Sequence, residues 1–212
     1  MKKAIIFDLD GTLWDSSKEV AEAWDQVTSS LKTPFRITYQ KMEETMGLPM
    51  IEIGKRLFSA YVKEEEILSL LNRCEEYENE YLLTHKGKLF PKVRETLEKL
   101  SSLYPLYIVS NCQKGYIETF LKSMDLEAYF SSFLCYGDTL AKKSVTIETL
   151  LKRENITKAF YVGDTLGDKE AATEASLPFV FASYGFGKVE AYIAKIASFE
   201  ELISLAKELL KD

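Results

Sequence analysis

Three cysteines and one histidine are spread over 212 residues, and each scarcity removes a class of explanation. Cys74, Cys112 and Cys135 are odd in number and share no Cys-x-x-Cys spacing. They read as buried or half-buried thiols in a reducing compartment, not as a disulfide frame or a zinc site. Basic stripes are missing too. Lysine and arginine number 27 against 33 acids, for a net charge of −6, which argues against a nucleic-acid binder. A phosphorylated substrate would then have its charge met locally rather than by the overall field. No apolar run approaches a membrane span. Lys2-Lys3 opens like a signal-peptide n-region, but Asp8 breaks the run that follows, and a cytoplasmic protein is expected. No repeat or low-complexity tract interrupts the chain. What is present suffices for a core, since 46% of residues are hydrophobic and 12% aromatic. The length allows one domain, one domain with an insertion, or two small ones.

Short apolar runs alternate with helical patterns in the second half, which predicts an α/β protein with a parallel sheet. The strand candidates are KAIIFDLD, PLYIVSN, SSFLCYG, KAFYVGD and PFVFASY. None shows clear alternation, as expected for strands covered on both faces. Helices are predicted over PKVRETLEKLSS, GYIETFLKSM, SVTIETLLKRE and DKEAATEAS, and in the amphipathic tail FEELISLAKELLKD.

The first two strands are far apart. A parallel crossover needs roughly a dozen residues or more, yet nearly everything from Asp15 to Phe90 intervenes. That stretch breaks at Pro34, Gly47 and Pro49 into helical pieces and reads as an inserted helical domain over the sheet edge. Glu64-Glu65-Glu66 marks a helix start, where acids suit the macrodipole. Tyr77 and Tyr81, one turn apart, are expected to pack helix on helix with Phe58. His85 reads as a surface residue at the hinge between insertion and core.

The chemistry gathers at strand ends. Phe7-Asp8-Leu9-Asp10-Gly11-Thr12 puts two carboxylates directly after the first strand. Residues two apart on a strand share a face, so Asp8 and Asp10 are expected to converge beyond its carboxyl end, where parallel α/β sheets bind ligands. An Asp-rich turn closing a strand is the rival from this motif alone. Two further strand ends weaken it. One closes with Ser110-Asn111, and another runs Gly163-Asp164-Thr165-Leu166-Gly167-Asp168. Two like charges 4 Å apart repel by roughly 4 kcal/mol at an effective dielectric of 20. Clustered acids therefore call for a cation. Oxygen donors without histidine or cysteine favour a hard ion, and few protein ligands with room for water favour Mg²⁺.

Asp-Leu-Asp-Gly-Thr, a strand-terminal Ser110, a downstream lysine and Gly-Asp-Thr-Leu-Gly-Asp, in that order, resemble the haloacid dehalogenase superfamily. Within it they are similar to the phosphoglycolate-phosphatase-like enzymes with a helical cap. The resemblance implies a Rossmann-like core over 1–15 and 86–212, a helical cap over 16–85, and a Mg²⁺-dependent phosphatase acting on a small phosphorylated metabolite. Asp8 would be the nucleophile that forms an aspartyl-phosphate. Asp10 would be the general acid and then the base. Mg²⁺ would be held by the Asp8 carboxylate, the Asp10 backbone carbonyl and Asp164, with Asp168 outside the ligand set. Ser110, with the Asn111 N–H at a helix start, would bind phosphoryl oxygens. Lys143, in preference to Lys142, would screen Asp8 from the incoming phosphate. Where many members carry proline, this chain has Ser144, free to cap the following helix.

Two other functions compete. A phosphomutase of the β-phosphoglucomutase type tends to carry a histidine early in the cap, and Trp14-Asp15-Ser16-Ser17-Lys18-Glu19 has none. A non-enzymatic phospho-accepting regulatory domain would leave Asp10 without a purpose and needs no insertion of this size. Trp14 is expected to staple the entry to the cap, and Asp15 to order the linker. The glycines of FASYGFG are expected to form a loop near the site. The oligomeric state is not legible.

Overall fold

The computed structural model describes residues 2–211. Its central strand β1 (Lys3–Phe7) is built for two-sided burial. Ile5 and Phe7 enter one apolar cluster with Ile108, Phe160 and Val162. Ala4 and Ile6 enter a second, with Tyr107, Val109 and Tyr161. Alternate side chains thus fill opposite faces, which explains why no polar alternation marks these strands.

β1 lies inside a six-stranded sheet ordered β5-β4-β1-β6-β7-β8, with β4 (Leu106–Ser110), β5 (Ser132–Cys135), β6 (Lys158–Gly163), β7 (Phe179–Ala182) and β8 (Ala194–Ile196). Every neighbouring pair is parallel. The fold is therefore the α/β Rossmann-like one expected. Its chain runs outward from β1 through β4 to β5, then returns to β6 on the other side. The carboxyl end of β1 is that reversal point, where ligands of open α/β sheets bind.

Four of the flanking helices match their sequence signals: α5 (Val93–Ser101), α6 (Tyr116–Met124), α8 (Lys143–Arg153) and α9 (Leu166–Glu174). A one-turn helix, α7 (Tyr136–Thr139), follows β5. The tail closes as α10 (Leu202–Leu209), and its Phe199, Leu202, Ala206 and Leu210 are buried. Phe199 packs its ring 5.7 Å from Phe7. Three strands escaped the sequence reading. β8 is three residues long, and β2 (Trp14–Asp15) pairs antiparallel with β3 (Lys88–Leu89) at the neck of the insertion. Segments of two or three residues carry no measurable period.

The insertion forms α1 (Ser17–Ser29), α2 (Tyr39–Glu43), α3 (Met50–Phe58) and α4 (Glu64–Tyr81). Trp24 and Phe58 are almost wholly buried at its centre, ring centroids 5.5 Å apart. Glu66 caps α4 by accepting from the Lys63 N–H at 3.1 Å. Tyr77 and Tyr81 do join helices, through hydroxyls donated to Gln26 and Glu22 on α1 at 2.6 and 3.1 Å. Phe58 packs instead against Trp24 and Phe35. His85 is exposed and stacks on Tyr81 at 3.9 Å. All three cysteines are buried and free. Among the described residues no helix is long and apolar enough to cross a membrane.

Candidate active site

Three strand ends and one helix start converge beyond β1. Asp8 follows β1 directly, and its backbone N–H donates to the Val162 carbonyl at 2.8 Å, continuing the sheet for one residue. Asp164 follows β6, and Asp168 lies in the first turn of α9. One carboxylate oxygen from each of Asp8, Asp164 and Asp168 lies within 4.8 Å of the others. Lys143 opens α8 and sends its ammonium into this group, 2.9 Å from Asp8 and 2.6 Å from Asp168. Lysine and acids are all nearly inaccessible to water.

Asp168 is held from both sides. Its Oδ1 meets Lys143, while Oδ2 accepts from the N–H of Asp164, the N–H of Thr165 and the Thr165 hydroxyl. Thr165 in turn accepts from the Asp168 N–H at 3.2 Å, so Thr165-x-x-Asp168 is the capping box of α9. These partners occupy most of the Asp168 lone pairs. Asp164 keeps more freedom, accepting only from the Phe186 N–H at 2.8 Å and the Thr12 hydroxyl at 3.3 Å.

Asp10 departs from the expectation that it shares a focus with Asp8. β1 ends at Phe7, so strand alternation does not govern the turn. The Asp10 carboxylate instead accepts from the Ser16 and Tyr116 hydroxyls, both at 2.9 Å. Those hydroxyls are 2.6 Å apart, tying the cap entry to α6. Trp14, fully buried, packs between this network and Phe120 at 4.8 Å, as a staple should.

Ser110 ends β4 and is buried beside the acids. Asn111 is not at a helix start: α6 begins only at Tyr116, after the turn Cys112–Gly115. Its side chain donates to the Gly47 carbonyl of the cap at 3.2 Å. Ser144 does not cap α8 either, because Lys142 holds that position and the Ser144 hydroxyl donates to Glu174 at 2.6 Å. Lys142 pairs with the same Glu174 on the surface. Ser144 lies two residues past the position a serine cap requires.

Close backbone approach holds the cradle open. Gly11 has φ of +82°, and a Cβ there would lie 2.2 Å from an Asp164 oxygen. Gly185, in the loop after β7, would put a Cβ 2.3 Å from the Gly11 carbonyl and 2.4 Å from the Asp164 Cβ. Gly185→Ala must therefore displace Asp164 or the motif loop. It is expected to lower the melting temperature and to weaken Mg²⁺-induced stabilisation at least tenfold in apparent affinity. A variant melting and titrating like wild type would contradict this packing.

Burial sets the electrostatics. Asp8 is pushed up to about 7, first by burial and then by Asp168, against the pull of Lys143. Asp164 is raised well above the carboxylate range by burial, Asp168 and Asp8. Asp10 rises to about 6 through burial, held from going higher by Tyr116 and Ser16. Burial alone would lower Lys143, but Asp168 and Asp8 keep its ammonium above its usual value. Three carboxylates against one ammonium leave the cluster short of positive charge. Its donors are all oxygen, and the residues present therefore fit a hard divalent cation such as Mg²⁺.

A fifth acid comes from the helical insertion. Glu78 on α4 is 2% exposed, accepts from the Trp24 indole N–H and from Gln113 Nε2 (3.0 Å), and lines the same pocket as Asp8 and Asp10. Burial pushes it up to about 8. Its folded pKa lies above the unfolded value, so the folded state binds the extra proton between the two. The associated stability is present at low pH and is lost as pH rises through about 8. The metal-free protein should thus melt at least about 5 °C lower at pH 9 than at pH 6. Glu78→Gln should flatten that slope; a slope equal to wild type would contradict the burial account.

Sequence reasoning missed Ser16, Tyr116, Thr12, Glu78 and Gln113. Thr12 closes the first motif and Ser16 soon follows it, but Tyr116 reaches Asp10 across 106 residues, and no spacing signals that.

Known proteins align with this arrangement. The haloacid dehalogenase-like hydrolase family matches residues 5–182. The chain belongs to that family. A phosphoglycolate phosphatase from Photorhabdus laumondii is 30% identical, covering 95% of this chain and 91% of its own. One from Shigella dysenteriae is 29% identical over 89% and 84%. Among solved structures, a haloacid dehalogenase-like family hydrolase from Streptococcus pneumoniae superposes with a TM-score of 0.82 at 24% identity, covering 96% of this chain and 98% of its own. That likeness speaks for the fold.

Proposed function

We propose that this hydrolase is a Mg²⁺-dependent phosphatase that cleaves a small phosphorylated metabolite through an aspartyl-phosphate on Asp8. The observation that carries the reading is the division of labour between the two motif acids. Asp8 sits among Asp164, Asp168 and Lys143, while Asp10 stands apart on neutral hydroxyl partners. An Asp8 oxygen attacks phosphorus, the bond to the leaving oxygen breaks, and Asp10 gives that oxygen its proton. Water then attacks the phosphoryl group, Asp10 takes the water's proton, and the Asp8 carboxylate is released with inorganic phosphate. An acid near 6 can hold and yield a proton at neutral pH, which suits both halves.

Asp8 and Asp164, with the Asp10 backbone carbonyl, would hold the Mg²⁺. When bound, it neutralises the carboxylates and polarises a phosphoryl oxygen. Lys143 keeps Asp8 aligned and offsets negative charge, and Asp168 positions Lys143. Ser110 offers a hydroxyl to the phosphoryl group. We read 1–15 and 86–212 as the core and 16–85 as the cap, which shuts water out and selects the leaving group. The relatives named phosphoglycolate phosphatase support a small substrate.

Phosphate release from p-nitrophenyl phosphate, with Mg²⁺ and with excess chelator, tests the reading. Release that depends on Mg²⁺ is expected. A hexose phosphate isomerised without phosphate release would favour the phosphomutase, and a long-lived phosphoprotein without turnover would favour a regulatory domain.

A further inference from the structure

The pocket above Asp8 and Asp10 has a composition that bears on the leaving group. Its floor is Asp8, Asp10, Ser110 and Asn111, and its roof is drawn from α1, α2, α3, α4 and the loop before α3. The space between them open to a water-sized sphere is about 40 Å³, so the roof lies close against the floor. The roof is apolar over most of its extent: Val20, Met42, Met50 and Ile53 are buried there, with Met46 and Leu48 half-buried. Its one ionisable group is Glu78. Among the described residues no lysine, arginine or histidine lines it. Lys143 belongs to the neighbouring cleft and is already committed to Asp8 and Asp168.

A phosphorylated carboxylic acid would need a cation here. Once the phosphoryl group is seated over Asp8, the remainder of the molecule projects toward the roof. A carboxylate in that position would lose its water against methionine, valine and isoleucine side chains and would face an acid. Among the described residues no cation stands opposite to restore the loss. An uncharged alcohol loses little on the same transfer, and its apolar carbons gain from the burial. Any single polar group it carries can meet Glu78, whose oxygens retain lone pairs beyond those used by Trp24 and Gln113.

We propose that the leaving group is an uncharged, largely apolar alcohol, selected by a roof that holds Glu78 and no cation. The inference rests on the phosphatase reading above and narrows it. It separates this chain from the substrate in the names of the relatives it matches.

The test needs only the wild-type protein with Mg²⁺ and three phosphomonoesters of similar size. Propyl phosphate and the phosphate ester of glycolamide are uncharged at the leaving group, while phosphoglycolate carries a carboxylate there. kcat/KM for the two uncharged esters should exceed that for phosphoglycolate by about 100-fold or more, mostly through KM. Phosphoglycolate equal to or better than propyl phosphate overturns this inference and leaves the phosphatase reading standing. Failure to hydrolyse p-nitrophenyl phosphate or any of the three overturns both. A second arm introduces the missing charge. Met46→Lys, at a half-buried position on the rim, should raise phosphoglycolate relative to propyl phosphate at least tenfold; an unchanged ratio counts against the proposal.

Discussion

Asp8→Asn should lower kcat by about 10⁴-fold or more on every ester the wild-type protein cleaves, because the amide cannot form the acyl-phosphate. The same change should leave the metal-free protein as stable as wild type, or more so. Asp8 is one of three buried carboxylates, and both burial and Asp168 oppose its ionisation. An isosteric amide removes that repulsion while keeping an oxygen for the Lys143 ammonium at 2.9 Å. Loss of activity without loss of stability separates a chemical role from a structural one. The check pairs steady-state rates with melting curves in chelator. Turnover within tenfold of wild type would remove Asp8 as the nucleophile.

Lys143→Met should be damaging in a different way. It removes the single cation from Asp8 and Asp168 and leaves buried charges without a partner, which costs about 3–5 kcal/mol. For a chain of this size that corresponds to a fall of about 6–20 °C in melting temperature. Activity should fall with it, since Asp8 loses its alignment and its screen. Lys142→Met is the control, because the Lys142–Glu174 pair is on the surface and such pairs contribute at most about 1 kcal/mol. Adding Asp168→Asn to Lys143→Met should recover part of the lost stability, since the orphaned carboxylate goes too. Equal melting temperatures for Lys142→Met and Lys143→Met would contradict the buried cluster.

How far the sequence reaches is set by the range of the interactions. The long strands were legible because burial on both faces demands runs such as Ala4-Ile5-Ile6-Phe7, and a run is local. Asp8 and Asp164 were legible because each directly adjoins such a run, whereas Lys143 was singled out only by the family resemblance. Helix α4 declared its start through three glutamates. Asp10 shows the limit. Its place in a two-residue repeat predicts the focus of Asp8, but the strand stops at Phe7 and the turn redirects the carboxylate to Ser16 and Tyr116. Ser144 was misplaced by a small shift of a helix start, and Asn111 by the turn that separates β4 from α6. Glu78 looked like one more acid on a polar helix. Its burial depends on Trp24 and Gln113, residues 54 and 35 positions away, and no local pattern records that.

The central claim is that Asp8 carries the phosphoryl group while a Mg²⁺ ion holds the neighbouring acids together. Acid quench during turnover, followed by digestion and mass analysis, reads it most directly. A phosphoryl group on the peptide containing Asp8, formed only with Mg²⁺ and missing from Asp164→Asn, is the result predicted here. Steady release of phosphate with no label on that peptide, or a label that forms equally in chelator, would contradict the account.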